Sequence, residues 1–272
     1  MANALGIIAG GGHLPGQVAA SALAQGRDVF IAAIEGFAEA QVVAPFAHRF
    51  FRLGAIGAIR GALREYGCRD VVMIGPVKRP SLLALRPDAE GAKLLARIGR
   101  AAFAGDDGLL AAIIRVLNED GFKVLGAHDI LADMLGPVGL LTHSAPDEAA
   151  LADVERGVIV LKIAGPADIG QACVVQQGIV LAMEAVEGTD AMLGRIPGLA
   201  RPGPGGVLVK LAKPGQDRRA DLPTLGEQTI RNASMAGLRG IAFEAGGTIL
   251  SNRPAMIAAA DAAGLFVIGI GV

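Results

Sequence analysis

The strand-like run Leu5–Ala9 passes into three consecutive glycines, Gly10-Gly11-Gly12, then into His13-Leu14-Pro15 and a helical stretch that stops at Gly26. A short run without polar alternation has no face to spare for water, so it reads as a strand covered on both sides. Pro15 is tolerated in the first turn of a helix, and Gly26 is a normal C-terminal stop. Strand, glycine turn and helix in that order recur along the first half. Val29–Ile34 is a second apolar run, Ile56–Tyr66 is helical and ends at Gly67, and Val71–Ile74 runs into Gly75-Pro76-Val77-Lys78. Short apolar strands alternating with helices predict a parallel sheet with helices on both faces. Residues 1–133 are therefore expected to form a doubly wound, Rossmann-like α/β domain.

The second half has another rhythm. After a Gly136-Pro137 break, a linker is expected over 134–147 and a mixed α+β domain over 148–272. Asp147–Ala164 reads as a helix, and Cys173–Gln176 and Ile179–Met183 flank Gln177-Gly178 as a hairpin. A strand over Val207–Leu211, a helix from Gly226 to Ala236, a strand near Ile241 and a closing helix and strand complete it.

Composition removes several classes of function. Net charge is −1 in 272 residues, and aromatic content is 4% with no Trp. Neither an electrostatic attraction to nucleic acid nor a stacking platform for bases is present, so no nucleic-acid partner is expected. The 39 glycines suit tight turns and close backbone approach to a ligand. Mean hydropathy is high at +0.49, yet every apolar run is interrupted before the roughly 18 residues of a membrane span. Cys68 and Cys173 form no CxxC and read as buried reduced thiols. With no secretory leader pattern at the N-terminus, a cytoplasmic location is expected.

The candidate chemistry lies in two places. A glycine turn between a strand and a helix offers backbone N–H groups and a helix dipole to an anion. Three readings of it are open: a nucleotide or phosphate site, an ordinary tight turn, or a dinucleotide fingerprint, with Glu35 placed for a ribose and Pro15 standing where the third glycine belongs. No Walker motif, His-x-His pair or nucleophile-elbow serine occurs. The remaining reactive groups are carboxylates, Asp168, Glu184, Glu187, Asp190 and Asp221, the last three in what read as acidic loops, Glu187–Asp190 and Asp221–Thr224. Carboxylates without histidine or thiol partners suit Mg²⁺, with Mn²⁺ as a substitute, and Asp190 and Asp221 are the expected metal ligands. Glu187 is a further ligand or a base. Lys78 and Lys213 either balance phosphate charge or are ordinary surface lysines.

Seven motifs in register resemble the LpxI-type UDP-2,3-diacylglucosamine pyrophosphatases. They are Gly6–Pro15, Gly75–Pro80, Gly105–Leu110, Gly126–His128, Asp168–Gln171, Glu184–Met192 and Asp221–Gly226. The chain departs from the family pattern at His13 and Pro76, where a small residue and Asn are usual. The resemblance implies a hydrolase of lipid A biosynthesis in Gram-negative bacteria. It would cleave UDP-2,3-diacylglucosamine into UMP and 2,3-diacylglucosamine 1-phosphate by Mg²⁺-assisted attack of water on the β-phosphorus. It implies Asp221 as an essential catalytic residue, with Asp190 and Glu187 beside it. Gly10, Gly11, Gly12, His13, Lys78, Gln171, Thr189, Lys213 and Thr224 are then expected to bind substrate. The expected partners are the UDP-linked diacylated glucosamine lipid, the cytoplasmic face of the inner membrane as a peripheral surface, and a second copy in a homodimer. A substrate touching both the glycine turn and the acidic loops would bridge the two domains. Two alternatives are an NAD(P)-dependent oxidoreductase built on the first domain and a non-catalytic lipid or nucleotide sensor.

Overall fold

The computed structural model describes residues 4–77, 87–98, 105–213, 218–219 and 222–272. The chain divides into two compact units. One takes the described residues up to Ala132 with Arg218 and Arg219, the other those from Asp133 to Lys213 and from Leu222 to Val272.

The first unit runs β1 (Ala4–Ala9), α1 (Leu14–Ala24), β2 (Val29–Ile34), α2 (Ala40–Val43), β3 (His48–Phe51), α3 (Ile56–Glu65), β4 (Cys68–Ile74), α4 (Ala89–Ile98), α5 (Gly105–Glu119), β5 (Lys123–Leu125) and α6 (Ala127–Ile130). Its sheet has the order β3-β2-β1-β4-β5 with every pair parallel, the doubly wound arrangement expected from the sequence. All six residues of β2 are buried, which is why the run carries no polar alternation. Phe30, Ile34, Leu63, Val71, Ile114 and Phe122 join in one core, each burial contributing about 1.5–3 kcal/mol. Winding reverses between β1 and β4. In open α/β sheets that switch point opens a crevice at the carboxyl ends of the strands, where ligands bind.

The second unit contains β6 (Gly139–Leu140), α7 (Glu148–Ala164), β7 (Ala172–Gln176), β8 (Ile179–Met183), α8 (Gly188–Arg195), β9 (Val207–Lys210), β10 (Thr224–Leu225), α9 (Glu227–Met235), β11 (Gly240–Glu244), β12 (Ile249–Leu250), α10 (Arg253–Ala262) and β13 (Phe266–Ile270). A six-stranded sheet has the order β6-β13-β11-β9-β7-β8, and β10 and β12 form a small parallel pair. Strands β9, β11 and β13 are parallel, whereas β6, β7 and β8 join antiparallel, so the mixed architecture is the one expected.

Local chemistry accounts for the boundaries. Asp147 caps α7 by accepting the Ala150 N–H at 2.7 Å. Gln177 and Gly178 both have positive φ, 54° and 74°, as a two-residue hairpin turn requires. Buried Asp153 accepts both of their N–H groups, at 3.1 and 2.7 Å, and so pins the turn to α7. The stretch 134–147, expected as a linker, is instead part of the second unit, because β6 pairs antiparallel with β13 and Gly136 donates to the Thr248 carbonyl. Cys68 and Cys173 are buried, and burial pushes their thiols up to about 11 and about 12 respectively. No helix among the described residues is long and apolar enough to cross a membrane.

Candidate active site

The glycine turn of the first unit packs against a second glycine turn. Gly10 donates its N–H to the Ile74 carbonyl at 2.9 Å and Gly11 donates to Pro76 at 3.0 Å, so the loop after β1 is tied to the loop after β4. A Cβ on Gly10 would stand 2.3 Å from the Gly75 carbonyl oxygen, and one on Gly75 would stand 2.5 Å from that of Gly11. Glycine is required there by contact of backbone with backbone. Gly10 and Gly11, expected to bind substrate, thus donate their N–H groups within the chain. Gly12 is different in kind. Its φ is +76°, and no described atom lies within 4 Å of a Cβ built on it. His13 precedes α1, is exposed, and makes no capping hydrogen bond. Lys78 lies outside the described residues.

At the corresponding end of the six-stranded sheet, charge replaces glycine. Lys210 ends β9 and is only 5% exposed; Glu184 follows β8 and is 8% exposed. Lysine and glutamate are almost never buried this far without partners. Lys210 Nζ donates to Thr189 Oγ1 at 2.9 Å, and that hydroxyl donates to Glu184 Oε1 at 3.0 Å. Glu184 Oε2 is buried without a hydrogen-bond partner among the described residues. The backbone holds the carboxylate from behind. Glu184 N–H bonds the Ala172 carbonyl at 2.8 Å, and Gly170 approaches so closely that a Cβ on it would meet the Glu184 carbonyl oxygen at 2.1 Å.

The chain leaving β9 extends the same network. Leu211 donates its N–H to the Gln171 carbonyl at 2.9 Å and Ala212 donates to Glu244 Oε2 at 2.9 Å, while Lys213 forms an ion pair with Asp168. Asp168 sits in the left-handed region at φ 53°. The buried Oε1 of Gln171 is a second acceptor with no partner among the described residues. Of the residues singled out in the sequence, Asp168, Gln171, Glu184, Thr189 and Lys213 thus belong to one connected set. Lys210 and Glu244 were not anticipated. The signal for each was a single charged residue closing an otherwise apolar strand, in Val207–Lys210 and Gly240–Glu244.

The remaining acidic residues fall on a helix. Glu187 to Asp190, expected as a loop, is the start of α8: Glu187 is its N-cap and Asp190 lies in its first turn, where a carboxylate is favoured by the helix dipole. Glu187 pairs with Arg195 at 2.7 Å, which occupies it as an ion-pair partner. Asp190 accepts from Asn232 of α9 at 2.7 Å. Thr224 is in β10, and its hydroxyl makes a long hydrogen bond of 3.4 Å to the Leu222 carbonyl, apart from the network just described. Asp221 lies outside the described residues.

With a buried lysine, a partly buried lysine and buried acceptors at strand ends and an exposed carboxylate on the first turn of α8, this face of the second unit can bind a polar, negatively charged ligand. Comparison with known proteins decides among the classes. The family model for the LpxI N-terminal domain matches residues 4–134, and that for the LpxI C-terminal domain matches residues 137–268. The chain belongs to the LpxI family. It is 42% identical over 276 residues to the UDP-2,3-diacylglucosamine pyrophosphatase LpxI of Caulobacter vibrioides, a match that spans 98% of this chain and 97% of that protein. The two family domains thus follow the two structural units closely, with the Asp168–Lys213 ion pair and the Glu184–Thr189–Lys210 chain of hydrogen bonds falling wholly in the C-terminal one.

Proposed function

We propose that this LpxI-family chain hydrolyses the pyrophosphate bond of UDP-2,3-diacylglucosamine, giving UMP and 2,3-diacylglucosamine 1-phosphate in lipid A biosynthesis. The observation that carries the reading is the near-complete match to a pyrophosphatase of that specificity. The buried Lys210–Thr189–Glu184 network supports it, since it places charged and acceptor groups at strand ends. In the reaction a water oxygen bonds to the β-phosphorus, the bond from that phosphorus to the bridging oxygen breaks, and the bridging oxygen leaves with UMP. The water's proton passes to a carboxylate, for which Asp221 is the candidate.

The donor set fits a magnesium ion. Asp190 offers a hard carboxylate oxygen on the exposed first turn of α8. Mg²⁺ typically takes one or two carboxylates and fills its octahedron with phosphate and water, so Asp190 and Asp221 would hold it. When bound, the ion neutralises phosphate oxygens. Lys213, held by Asp168, adds positive charge on the chain that leaves β9.

Fully exposed Val186 and half-exposed Ile169 lie in the segments that carry Glu184 and Gln171. They support acyl-chain contact beside the site and a peripheral position at the cytoplasmic face of the inner membrane. The oxidoreductase alternative finds no support at the glycine turn, where the Gly10 and Gly11 donors a pyrophosphate would need are already bonded.

Hydrolysis in ¹⁸O-labelled water tests the reaction. The label is expected in 2,3-diacylglucosamine 1-phosphate and not in UMP. Label in UMP would move the attack to the other phosphorus, and absence of UMP release would refute the activity.

A further inference from the structure

We propose that Lys210 binds the phosphate of the substrate and that Glu184, acting through Thr189, is the residue that positions it. The inference deepens the pyrophosphatase reading and rests on it for its kinetic arm. Lys210 is nearly inaccessible at the end of β9, and an ammonium so placed keeps its charge and direction only if its surroundings supply acceptors. Thr189 Oγ1 is one of them, at 2.9 Å. A threonine hydroxyl accepts well from an ammonium when its own proton is committed elsewhere, and here that proton points at Glu184 Oε1, 3.0 Å away. The carboxylate therefore fixes the hydroxyl, and the hydroxyl fixes the ammonium. Three elements meet in this chain of contacts: the segment after β8, the first turn of α8 and the end of β9.

A second observation separates this arrangement from a network that only holds the fold together. Glu184 is more than nine-tenths buried, yet its Oε2 has no hydrogen-bond partner among the described residues, and the buried Oε1 of neighbouring Gln171 has none among them either. Networks that serve stability alone close their acceptors, because an unpaired buried acceptor is costly. Two open acceptors beside a buried lysine mark a place completed by a ligand, with the phosphate meeting the ammonium and donors carried by the ligand meeting the acceptors. On the segment that continues β9, Lys213 pairs with Asp168 and Ala212 donates to Glu244, while Asp190 follows Thr189 on α8.

The test compares Thr189→Val, Thr189→Ser, Glu184→Ala and the Thr189→Val/Glu184→Ala double variant in the full chain. Thr189→Val keeps the shape and removes the hydroxyl, so kcat is expected to fall about 10-fold or more, the loss of one hydrogen bond to a charged group. Thr189→Ser restores the hydroxyl and is expected to return kcat to within about 3-fold of the parent, well inside the effect of a lost charged hydrogen bond. Because both residues act on Lys210 along one path, the double variant should be no slower than the worse single variant. Additive losses, or a Ser variant as slow as the Val variant, would overturn the proposal. A readout without turnover runs alongside: the ¹⁵Nζ resonance of Lys210, identified by its disappearance in Lys210→Met. Its protons should be protected from solvent exchange in the parent and Thr189→Ser proteins and exposed in Thr189→Val. Unchanged exchange in Thr189→Val would refute the positioning role even if the parent protein failed to hydrolyse UDP-2,3-diacylglucosamine, and that latter failure would fall on the pyrophosphatase reading alone.

Discussion

The two units present the same kind of surface, the carboxyl ends of parallel strands, and fill it in opposite ways. At the ends of β1 and β4, glycines let two turns touch backbone to backbone and use their N–H groups on each other. At the ends of β9 and β11, and beside β8, the sequence spends charged side chains and leaves acceptors open. Position in the fold alone does not make a site. What separates the two edges is whether polar groups are satisfied inside the chain. A satisfied edge is architecture, and an unsatisfied buried one is poised for a ligand.

The most severe way to break this contrast is to remove the metal. If Asp190 and Asp221 hold the ion, it is essential, and exhaustive chelation is expected to abolish UMP release. Mg²⁺ or Mn²⁺ should restore it fully and Zn²⁺ poorly. Full activity after chelation would dismiss the carboxylates as metal ligands. Next in size is Asp221→Ala, expected to lower kcat by roughly 10²-fold with substrate still bound, as for a group acting mainly in the transition state. Melting of the variant at the parent temperature separates this from a structural failure.

Strands β1, β2 and β4, helices α1 and α7 and the Gln177-Gly178 hairpin were legible because apolar period, Gly stops and turn chemistry agree there. Strand β3 was not. His48, Arg49 and Phe50 are exposed at the sheet edge, and such a strand is made by its neighbour's hydrogen bonds more than by its own composition. The two-residue strands β6, β10 and β12 are too short for any period to show. At the site, carboxylates in family-like motifs were visible in sequence, whereas Lys210 and Glu244 hid at the ends of apolar strands, where only three-dimensional burial gives their charge meaning. The motif Glu187–Asp190 looked like a loop because Gly188 and Thr189 disfavour a helix interior. They are tolerated in the first turn, where α8 begins.

The first unit offers its own test through stability. Gly10→Ala would push a methyl group into the Gly75 carbonyl, with backbone on both sides unable to yield, and is expected to cost about 3 kcal/mol, at the upper end of overpacking effects. Gly12→Ala meets no described atom and should cost only about 1 kcal/mol for the left-handed conformation. Denaturant midpoints check both. Should Gly10→Ala keep parental stability and lose substrate affinity instead, the glycine edge is a binding site after all and the contrast between the units fails.

The smallest effect concerns the two cysteines, one in each unit. Burial raises both thiols, to about 11 for Cys68, where the Arg27 charge offsets part of the rise, and to about 12 for Cys173. A raised pKa in the folded state means that the unfolded chain ionises first. Each thiol's contribution is therefore complete below the ordinary thiol range and is lost as pH climbs toward 11 for Cys68 and 12 for Cys173. At pH 8 both remain protonated and enclosed, so a thiol reagent should label neither in the native protein and both in denaturant. Any slow native labelling then measures opening of the sheet around each residue. Cys68 is the first residue of β4 and retains slight exposure, whereas Cys173 lies fully buried between β8 and β9 with its Sγ toward the Gly157 carbonyl. Cys68 is expected to react first. If Cys173 reacts first, the second unit opens more readily than the first, and the charged edge rests on the looser of the two scaffolds rather than on a sheet rigid enough to hold Lys210 in place.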